Sequence, residues 1–376
     1  MQAFEVSDSI ICINHAPLQG EVYIALTVGA GFASRRIRVD ADEVFIGTST
    51  ANVYLNYVKT VLRKKYELEV GSSITMNAST LYWKSSEDRY AAEIQQVMNE
   101  LFNDFIDKKI FAQEKKDTID RFKSNYKDLE FRGRIKMMEF SHQNKNYSLE
   151  HLTQDLLNVT MDHVRKLRKH LLFPRNLFLF IHGLADKEIL KQLKIPKMKQ
   201  KQVQYLFAVD NFHFLQDEAF VKKSKDDYEC GCLKFERGPT FDSISKEFAV
   251  LTLLGEILFK GYFSIEVDHM DASIMYFDTP LRKYKYDIFT SIDRDNVEKA
   301  KMRFLRRFDQ FIGQQPFAFV EFAARLHFDK INIYEWYKNI KELTAAEIRN
   351  FIQERNYKIR EGYVQFYKEE SQYGIV

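Results

Sequence analysis

The sequence predicts an α+β protein made of two tandem, homologous α/β roll domains, each a mixed or antiparallel sheet with helices packed on one face. The first observation is that two pairs of residues recur 184 positions later in the chain. The pair Glu114-Lys115, for example, recurs as Glu298-Lys299. The second is that both copies continue with a Thr-led helix and a short apolar strand. Two recurrences at one spacing indicate a duplicated unit. The recurring residues are Glu114, Lys115, Thr160 and Arg165, and then Glu298, Lys299, Thr344 and Arg349.

The composition is that of a globular chain long enough for two cores. A length of 376 residues corresponds to roughly two or three domains. The hydrophobic fraction of 45%, including 32 Phe and 20 Tyr, is sufficient for sizeable aromatic cores. The 14 Gly and 6 Pro are too few for a fibrous or disordered chain. The formal net charge of +3 gives no strong field of one sign, so nucleic-acid binding is not expected.

The elements of the first half follow from the period of the apolar residues. Short runs rich in β-branched residues and bounded by Gly or Pro predict strands, and apolar residues three or four apart predict helices. In the first helix, for example, Val53, Tyr57 and Val61 share one face. The predicted strands are residues 4–6, 10–13, 21–28, 74–83 and 177–181, and the predicted helices are residues 48–64, 88–106, 113–140 and 153–172.

The second half repeats this order after a polar, basic connection. Residues 195–203 are poor in apolar side chains, which predicts a linker between a domain at 1–194 and a domain at 204–376. The strands predicted beyond it are residues 204–209, 230–235, 262–268, 272–277 and 363–367. The predicted helices are residues 248–258, 296–311 and 317–328, and one that begins at Thr344.

Cysteine usage and the N-terminal segment predict a cytoplasmic protein. An odd number of cysteines, Cys12, Cys230 and Cys232, is a poor disulfide framework and favours a reducing compartment. Because Cys230 and Cys232 have no second cysteine pair nearby, we expect two thiols on one face of a strand. Residues 1–16 have no basic region typical of a signal or transit peptide. No stretch approaches the roughly 20 apolar residues of a membrane-spanning helix.

Four stretches, in this order and spacing, carry a resemblance to a known family. They are Val-Gly-Ala-Gly at residues 28–31, the Gly-to-Thr segment at residues 71–80, the Phe-x-x-Glu-Lys helix start at residues 111–115, and the Thr-to-Gly ending at residues 160–183. Together they resemble the insulinase/pitrilysin family of zinc peptidases, and the resemblance covers nearly the whole chain. It implies the tandem α/β rolls predicted above.

The resemblance also implies a zinc site, and the ligands of that site are missing from the sequence. The family motif is His-x-x-Glu-His on the first helix, where two His bind zinc and Glu activates water, with a Glu far downstream as third ligand. The register places Asn52, Leu55 and Asn56 at the motif positions and Arg121 at the downstream position. None of the 9 His lies in the helix at residues 48–64. We therefore predict no metal, no cofactor and no catalytic residue.

The family likeness further implies a peptide-binding edge strand. By resemblance, Asn77, Ala78, Ser79 and Thr80 would lie on an edge to which an extended peptide adds through backbone hydrogen bonds. An ordinary edge strand without a ligand is the alternative reading. Family members often hold substrate with an Arg and a Tyr of the second domain. Here only Tyr262 lies in the expected stretch, and its place in a predicted strand favours an ordinary strand aromatic over a substrate-holding residue.

The resulting hypothesis is a catalytically inactive insulinase-like subunit. The resemblance implies a heterodimer with an active zinc peptidase of the same family, which processes a peptide precursor as accessory subunits of bacteriocin and other modified-peptide gene clusters do. The alternative is a structural or scaffolding subunit without a role in peptide cleavage, like the non-peptidase core proteins of respiratory complexes. A third reading, an active peptidase with a nonstandard site, is distinguished by the metal content of the isolated chain.

Overall fold

The computed structural model describes residues 2–16, 19–142, 148–196, 203–205, 218–236, 243–267, 271–277, 284–355 and 359–368. The strands are β1 Gln2–Val6, β2 Ser9–Asn14, β3 Glu21–Val28, β4 Arg36–Val39, β5 Asp42–Phe45, β6 Gly71–Ile74, β7 Ser79–Ser86, β8 Leu177–His182, β9 Val203–Tyr205, β10 Glu218–Ser224, β11 Tyr228–Glu236, β12 Phe263–Val267, β13 Asp271–Phe277 and β14 Ile359–Lys368.

The helices alternate with these strands. They are α1 Thr50–Tyr66, α2 Tyr90–Leu101, α3 Lys108–Asn125, α4 Leu129–His142, α5 Leu149–Asn158, α6 Met161–Leu171, α7 Lys187–Leu190, α8 Ile244–Phe259, α9 Tyr284–Ser291, α10 Arg294–Gln314, α11 Pro316–Phe328, α12 Ile333–Glu342 and α13 Ala345–Arg355. The predicted α+β class with mixed sheets is confirmed.

Two compact units share the chain, and neither is contiguous in sequence. The first unit comprises residues 1–121, 152–207 and 309–330, and the second comprises residues 122–151, 208–308 and 331–376. The predicted division into residues 1–194, a linker and residues 204–376 is therefore too simple. Each unit includes one helical segment from the other half of the sequence. In the predicted linker, residues 197–202 lie outside the described residues, and Val203 already pairs with Val39 of β4.

The first unit is built on a six-stranded mixed sheet. The strand order is β1-β2-β8-β3-β7-β6, in which β2 and β8 run parallel and the other neighbours run antiparallel. The central strands β3 and β8 are buried along almost their whole length, as expected for strands covered on both faces. A small second sheet, β5-β4-β9, lies in the same unit.

Helices cover both faces of this sheet, whereas the sequence predicts helices on one face only. Ser72 on β6 accepts a hydrogen bond from Lys59 of α1 at 3.2 Å. The next residue, Ser73, donates to Glu321 of α11 at 2.8 Å. Because successive side chains of a strand point to opposite faces, α1 and α11 lie on opposite faces of the sheet.

Helix α11 covers its face of the first sheet mainly with aromatic side chains. Phe319 is 3% exposed, and its ring lies 5.8 Å from that of Phe180 and 5.0 Å from that of His182. The ring of His327 stacks on Phe178 at 4.0 Å between centroids. The residues of β8 that face α11 are thus alternate residues of the strand. Because helices cover both faces of the sheet, β8 is apolar on both sides.

The second unit repeats the architecture of the first. Its sheet has the order β10-β14-β11-β13-β12, with β10 and β14 parallel and the other pairs antiparallel. This order equals β2-β8-β3-β7-β6 of the first sheet, strand for strand. The equal topology supports the duplication that the 184-residue spacing indicates.

In this second sheet, α4 takes the place that α11 takes in the first. Met137 and Phe140 of α4 pack in one buried cluster with Cys230 and Cys232 of β11. The opposite face packs against α8 and α13, as shown by Phe235 against Phe351 of α13 at 6.1 Å. The prediction that Cys230 and Cys232 share a strand face is confirmed, and both thiols are buried and form no disulfide.

Some predicted boundaries differ from the structure for local reasons. The helix predicted at residues 113–140 is two helices, because Asp128 accepts a hydrogen bond from the backbone N–H of Glu130 and starts α4 anew. The helix predicted at residues 88–106 ends at Leu101, and Phe105 is 71% exposed rather than on the buried face. Of the strand predicted at residues 204–209, only residues 204 and 205 are described, and both belong to β9.

Because α11 covers one face of the first sheet, we predict that removing one aromatic ring of this helix strongly lowers the stability of the fold. We expect Phe319→Ala to lower the free energy of unfolding by about 3–5 kcal/mol, because it leaves a cavity against Phe180 and His182. The matched control is Phe317→Ala on the same helix, since Phe317 is 40% exposed and its removal leaves a smaller cavity. Urea denaturation of both variants measures the difference. Equal losses would show that α11 does not seal the sheet through Phe319.

Two buried imidazoles predict a loss of stability in mild acid. Burial lowers the pKa of both His182 and His327 to about 4, so each stays neutral in the folded state. The unfolded chain takes up these protons near pH 6.5, so stability declines as pH falls from about 6.5 to 4. We expect His327→Phe, which keeps a ring on Phe178, to reduce the loss between pH 7 and 4.5 by about 2 kcal/mol. His15→Gln, at an exposed position, should leave the loss unchanged in urea titrations at both pH values.

Candidate functional site

The motif resemblance assigns the zinc positions to α1, and the two Asn side chains at these positions contact each other. Asn56 donates from Nδ2 to Oδ1 of Asn52 at 3.0 Å, as residues four apart on a helical face do. Asn56 is 8% exposed, and Leu55 beside it is buried at 3%. The structure therefore brings Asn52 and Asn56 together, while Leu55 belongs to the core.

Helix α3 meets this face of α1 through Thr118. The Nδ2 atom of Asn56 also donates to Oγ1 of Thr118 at 3.2 Å. Thr118 is buried and donates its own proton to the backbone carbonyl of Glu114 at 2.7 Å. Arg121, the residue predicted at the third-ligand position, lies one turn further and donates from Nη2 to Thr118 at 3.2 Å. Thr118, which the sequence analysis missed, is thus the α3 residue that touches the motif positions.

The residues at this position do not fit a zinc ion. Zinc sites in proteins use His, Cys, Asp or Glu, and here the set is two amides, a hydroxyl and a guanidinium. The amides and the hydroxyl are already joined by hydrogen bonds, and the positive charge of Arg121 opposes a cation. Across the described residues, no group of three or more His, Cys, Asp or Glu side chains is placed to hold a metal ion. No catalytic step through a metal can be derived for these residues.

A second cation faces the same region. Lys59 of α1 is half-buried and donates from Nζ to Oγ of Ser72 at 3.2 Å. Burial lowers the pKa of Lys59 below its usual value, and the nearby charge of Arg121 lowers it further. Neither Lys59 nor Ser72 was singled out from the sequence. In the sequence, Lys59 lies one helical turn after Asn56 in α1. This spacing is the feature that could have identified Lys59 as a neighbour of the site.

The predicted edge strand is misplaced, because residues 77–80 do not form an edge. Ser79 and Thr80 belong to β7, which is paired on both sides, with β3 and with β6. Ala78, Ser79 and Thr80 are nearly inaccessible, with exposures of 1%, 1% and 2%. Asn77 lies in the turn before β7 and donates to Asp329 at 2.8 Å. The terminal strand of the sheet is β6, and binding of a peptide in this region stays a prediction.

The turn before β7 is fixed by close backbone contacts with the end of β3. Phe32 and Ala33 donate backbone hydrogen bonds to the carbonyls of Thr75 and Met76 at 3.0 and 2.8 Å. A Cβ atom on Gly31 would lie only 2.3 Å from the carbonyl oxygen of Thr75, so the position requires glycine. Two of the motif stretches, residues 28–31 and 71–80, therefore lie in contact, and the close approach of their backbones explains the glycine at position 31.

Tyr262, considered from the sequence as a substrate-holding residue, precedes β12 in the second unit. It is 67% exposed, and its backbone N–H donates to the carbonyl of Phe259 at 3.1 Å, the end of α8. A substrate-holding role for Tyr262 stays a prediction. Among the described residues, no helix combines the length and the apolar character needed to cross a membrane.

Comparison of sequences gives no match, whereas comparison of structures gives many. The chain matches no protein-family sequence model and no curated protein sequence. Its structure is similar to an M16-like peptidase from Alicyclobacillus acidocaldarius, with a TM-score of 0.77 and 11% identity over 97% of this chain and 98% of that one. It is also similar to the inactive domain of an M16 peptidase from Pseudomonas fluorescens, with a TM-score of 0.67 and 10% identity over 96% and 97% of the two chains.

A third neighbour comes from a different setting. A chain in the structure of complex III2 from Candida albicans with Inz-5 bound has a TM-score of 0.68 and 11% identity, covering 96% of this chain and 95% of that one. At these identities the likeness shows the fold alone. The chain has the M16-like peptidase fold, as the resemblance of its motifs implied.

The contact between Asn56 and Thr118 predicts which α3 position lies nearest to a restored metal site. We expect the variant Asn52→His/Asn56→His/Thr118→Glu/Arg121→Gln to bind about one zinc ion per chain, because its three new ligands occupy side chains already in contact and the opposing charge of Arg121 is removed. The matched control, Asn52→His/Asn56→His/Arg121→Glu, should bind at least about tenfold more weakly. Competition with a chelator measures both affinities. A tighter site with Glu at position 121 would return the third-ligand position to Arg121.

Proposed function

We propose that this chain is the noncatalytic subunit of a peptide-processing pair, in which an active zinc peptidase of the same fold supplies the chemistry. The observation that carries the proposal is the hydrogen-bonded set Asn52, Asn56 and Thr118, which includes two of the positions that the motif resemblance assigns to a zinc site and offers no zinc ligand. The fold likeness to an inactive M16 domain supports the same reading, because that domain also keeps the frame without activity.

The proposed contribution of this chain is to hold a peptide rather than to cut it. The terminal strand β6 lies beside α1, and the sheet continues on only one side of β6 among the described strands. An extended peptide added there would bind mainly through its backbone, which suits substrates of varied sequence. We propose a peptide precursor as substrate, in bacteriocin or other modified-peptide biosynthesis, on the strength of the motif resemblance. The buried thiols of Cys12, Cys230 and Cys232, which form no disulfide, suit the cytoplasm proposed as its location.

The experiment that tests pairing uses the chain with a candidate partner. We expect the full chain to co-elute in size-exclusion chromatography with a peptidase of similar length that carries His-x-x-Glu-His. Cleavage of the precursor should require both chains and should stop when the motif Glu of the partner is replaced by Gln. The isolated chain should contain less than about 0.1 zinc per molecule by elemental analysis, since its residues do not form a ligand set.

The outcomes separate the proposal from its two competitors. Stoichiometric zinc and cleavage by the isolated chain would establish an active peptidase with a nonstandard site. A scaffolding role is favoured by the likeness to a chain of complex III2, where this fold occurs within a larger assembly. That role predicts stable assembly with a partner whose cleavage rate is the same with and without this chain.

A further inference from the structure

A group of side chains around the lost metal position has the properties of an anion site. We define the cation cluster as Asn52 and Lys59 of α1, Ser72 of β6, and Thr118 and Arg121 of α3. Lys59 and Ser72 are joined at 3.2 Å, and Arg121 and Thr118 are joined at 3.2 Å. All five side chains carry hydrogen-bond donors, and two of them are positively charged.

The two cations of the cluster have no acidic partner among the residues that the structure describes. Within the described part of the chain, neither Lys59 nor Arg121 has a carboxylate oxygen within 4.0 Å. Glu114 and Glu69 influence Lys59 only from a distance, and Glu114 is held by the hydroxyl of Thr60 at 2.6 Å. Arg168 of the same unit, by contrast, is paired with Asp104 at 3.2 Å. An unpaired, partly desolvated ammonium group is costly, and a bound anion would relieve that cost.

The cluster lies beside the open edge of the sheet. Ser72 is in the middle of β6, and its side chain points to the α1 face, where Lys59 reaches it. In a strand added alongside β6, the side chain opposite Ser72 would point to that same face, about 5 Å away. An acidic side chain at that place in the added strand would meet Lys59 directly, and Arg121 would increase the attraction.

We propose that the cation cluster binds a carboxylate of an extended peptide that pairs with β6, so that this chain selects acidic segments. The proposal rests on the peptide-holding role proposed above, and it is independent of the pairing with an active peptidase. The carboxylate can belong to an Asp or Glu side chain or to a peptide C-terminus, because both present the same two acceptor oxygens.

The test measures binding of three labelled peptides to the full chain by fluorescence anisotropy. All are N-acetylated ten-residue peptides of alternating Thr and Val. The first has a central Glu and an amidated C-terminus, the second has a central Gln and an amidated C-terminus, and the third has a central Gln and a free C-terminal carboxylate. We expect the wild-type chain to bind the first or the third peptide at least about tenfold more tightly than the second.

Variants assign this preference to the cluster. Lys59→Met and Arg121→Gln should each reduce the preference for the acidic peptide to less than about threefold, and both should weaken its dependence on salt. The matched control is Lys116→Met, which removes the same charge from an exposed position of α3. It should leave the preference unchanged. Thermal unfolding of each variant verifies that the fold is retained.

Each result decides the proposal. A preference for the first peptide identifies a side-chain carboxylate as the ligand, and a preference for the third identifies the C-terminus. Equal binding of all three, no binding of any, or an equal loss in Lys116→Met would overturn the anion site. If that happens while the chain still co-elutes with an active peptidase, only this inference fails. If pairing fails but the acidic preference persists, only the proposed pairing fails.

Discussion

The architecture depends on one constraint: both faces of each sheet are apolar, so both must be covered. Along β8, all six residues are buried, and Phe178 and Phe180 face α11. Helix α11 belongs to the second half of the sequence, and α4, which covers the corresponding face of the second sheet, belongs to the first half. A sheet left open on such a face would expose a large aromatic surface to water. The units therefore cannot be contiguous segments of the chain, and their stability is shared between the two halves.

Local patterns in the sequence predict the elements well and their arrangement less well. The helix predicted at residues 48–64 is α1, and the strand predicted at residues 21–28 is β3 without change, because apolar period and turn residues are local signals. The edge strand was misassigned because strand order is non-local. Ser79 becomes interior only because β6 adds outside β7. The covering helix α11 was predicted as a helix, but nothing in its own residues tells which sheet it seals.

In the candidate site, too, the residue types of one helix can be read from the sequence, whereas contacts between elements cannot. The absence of His from α1 is visible in the sequence and excludes the family's zinc ligands at once. Thr118 was not predicted, because the pairing of α1 with α3 determines which turn of α3 faces Asn56. Lys59 was also missed, since an isolated Lys on a helix usually points to solvent. Its burial beside Ser72 arises only when β6 is in place.

A region built from amides, hydroxyls and cations differs from a zinc site in both stability and electrostatics. A structural zinc ion contributes on the order of 10 kcal/mol to folding in small zinc domains. Here α1 and α3 are joined by hydrogen bonds worth about 1 kcal/mol each, so packing must hold the helices in place. Metal ligands are electron-rich and attract cations, whereas Lys59 and Arg121 leave an excess of donors and positive charge. The same fold position thus favours ligands of opposite charge, and a peptide carboxylate is the anion that the neighbouring strand edge can deliver.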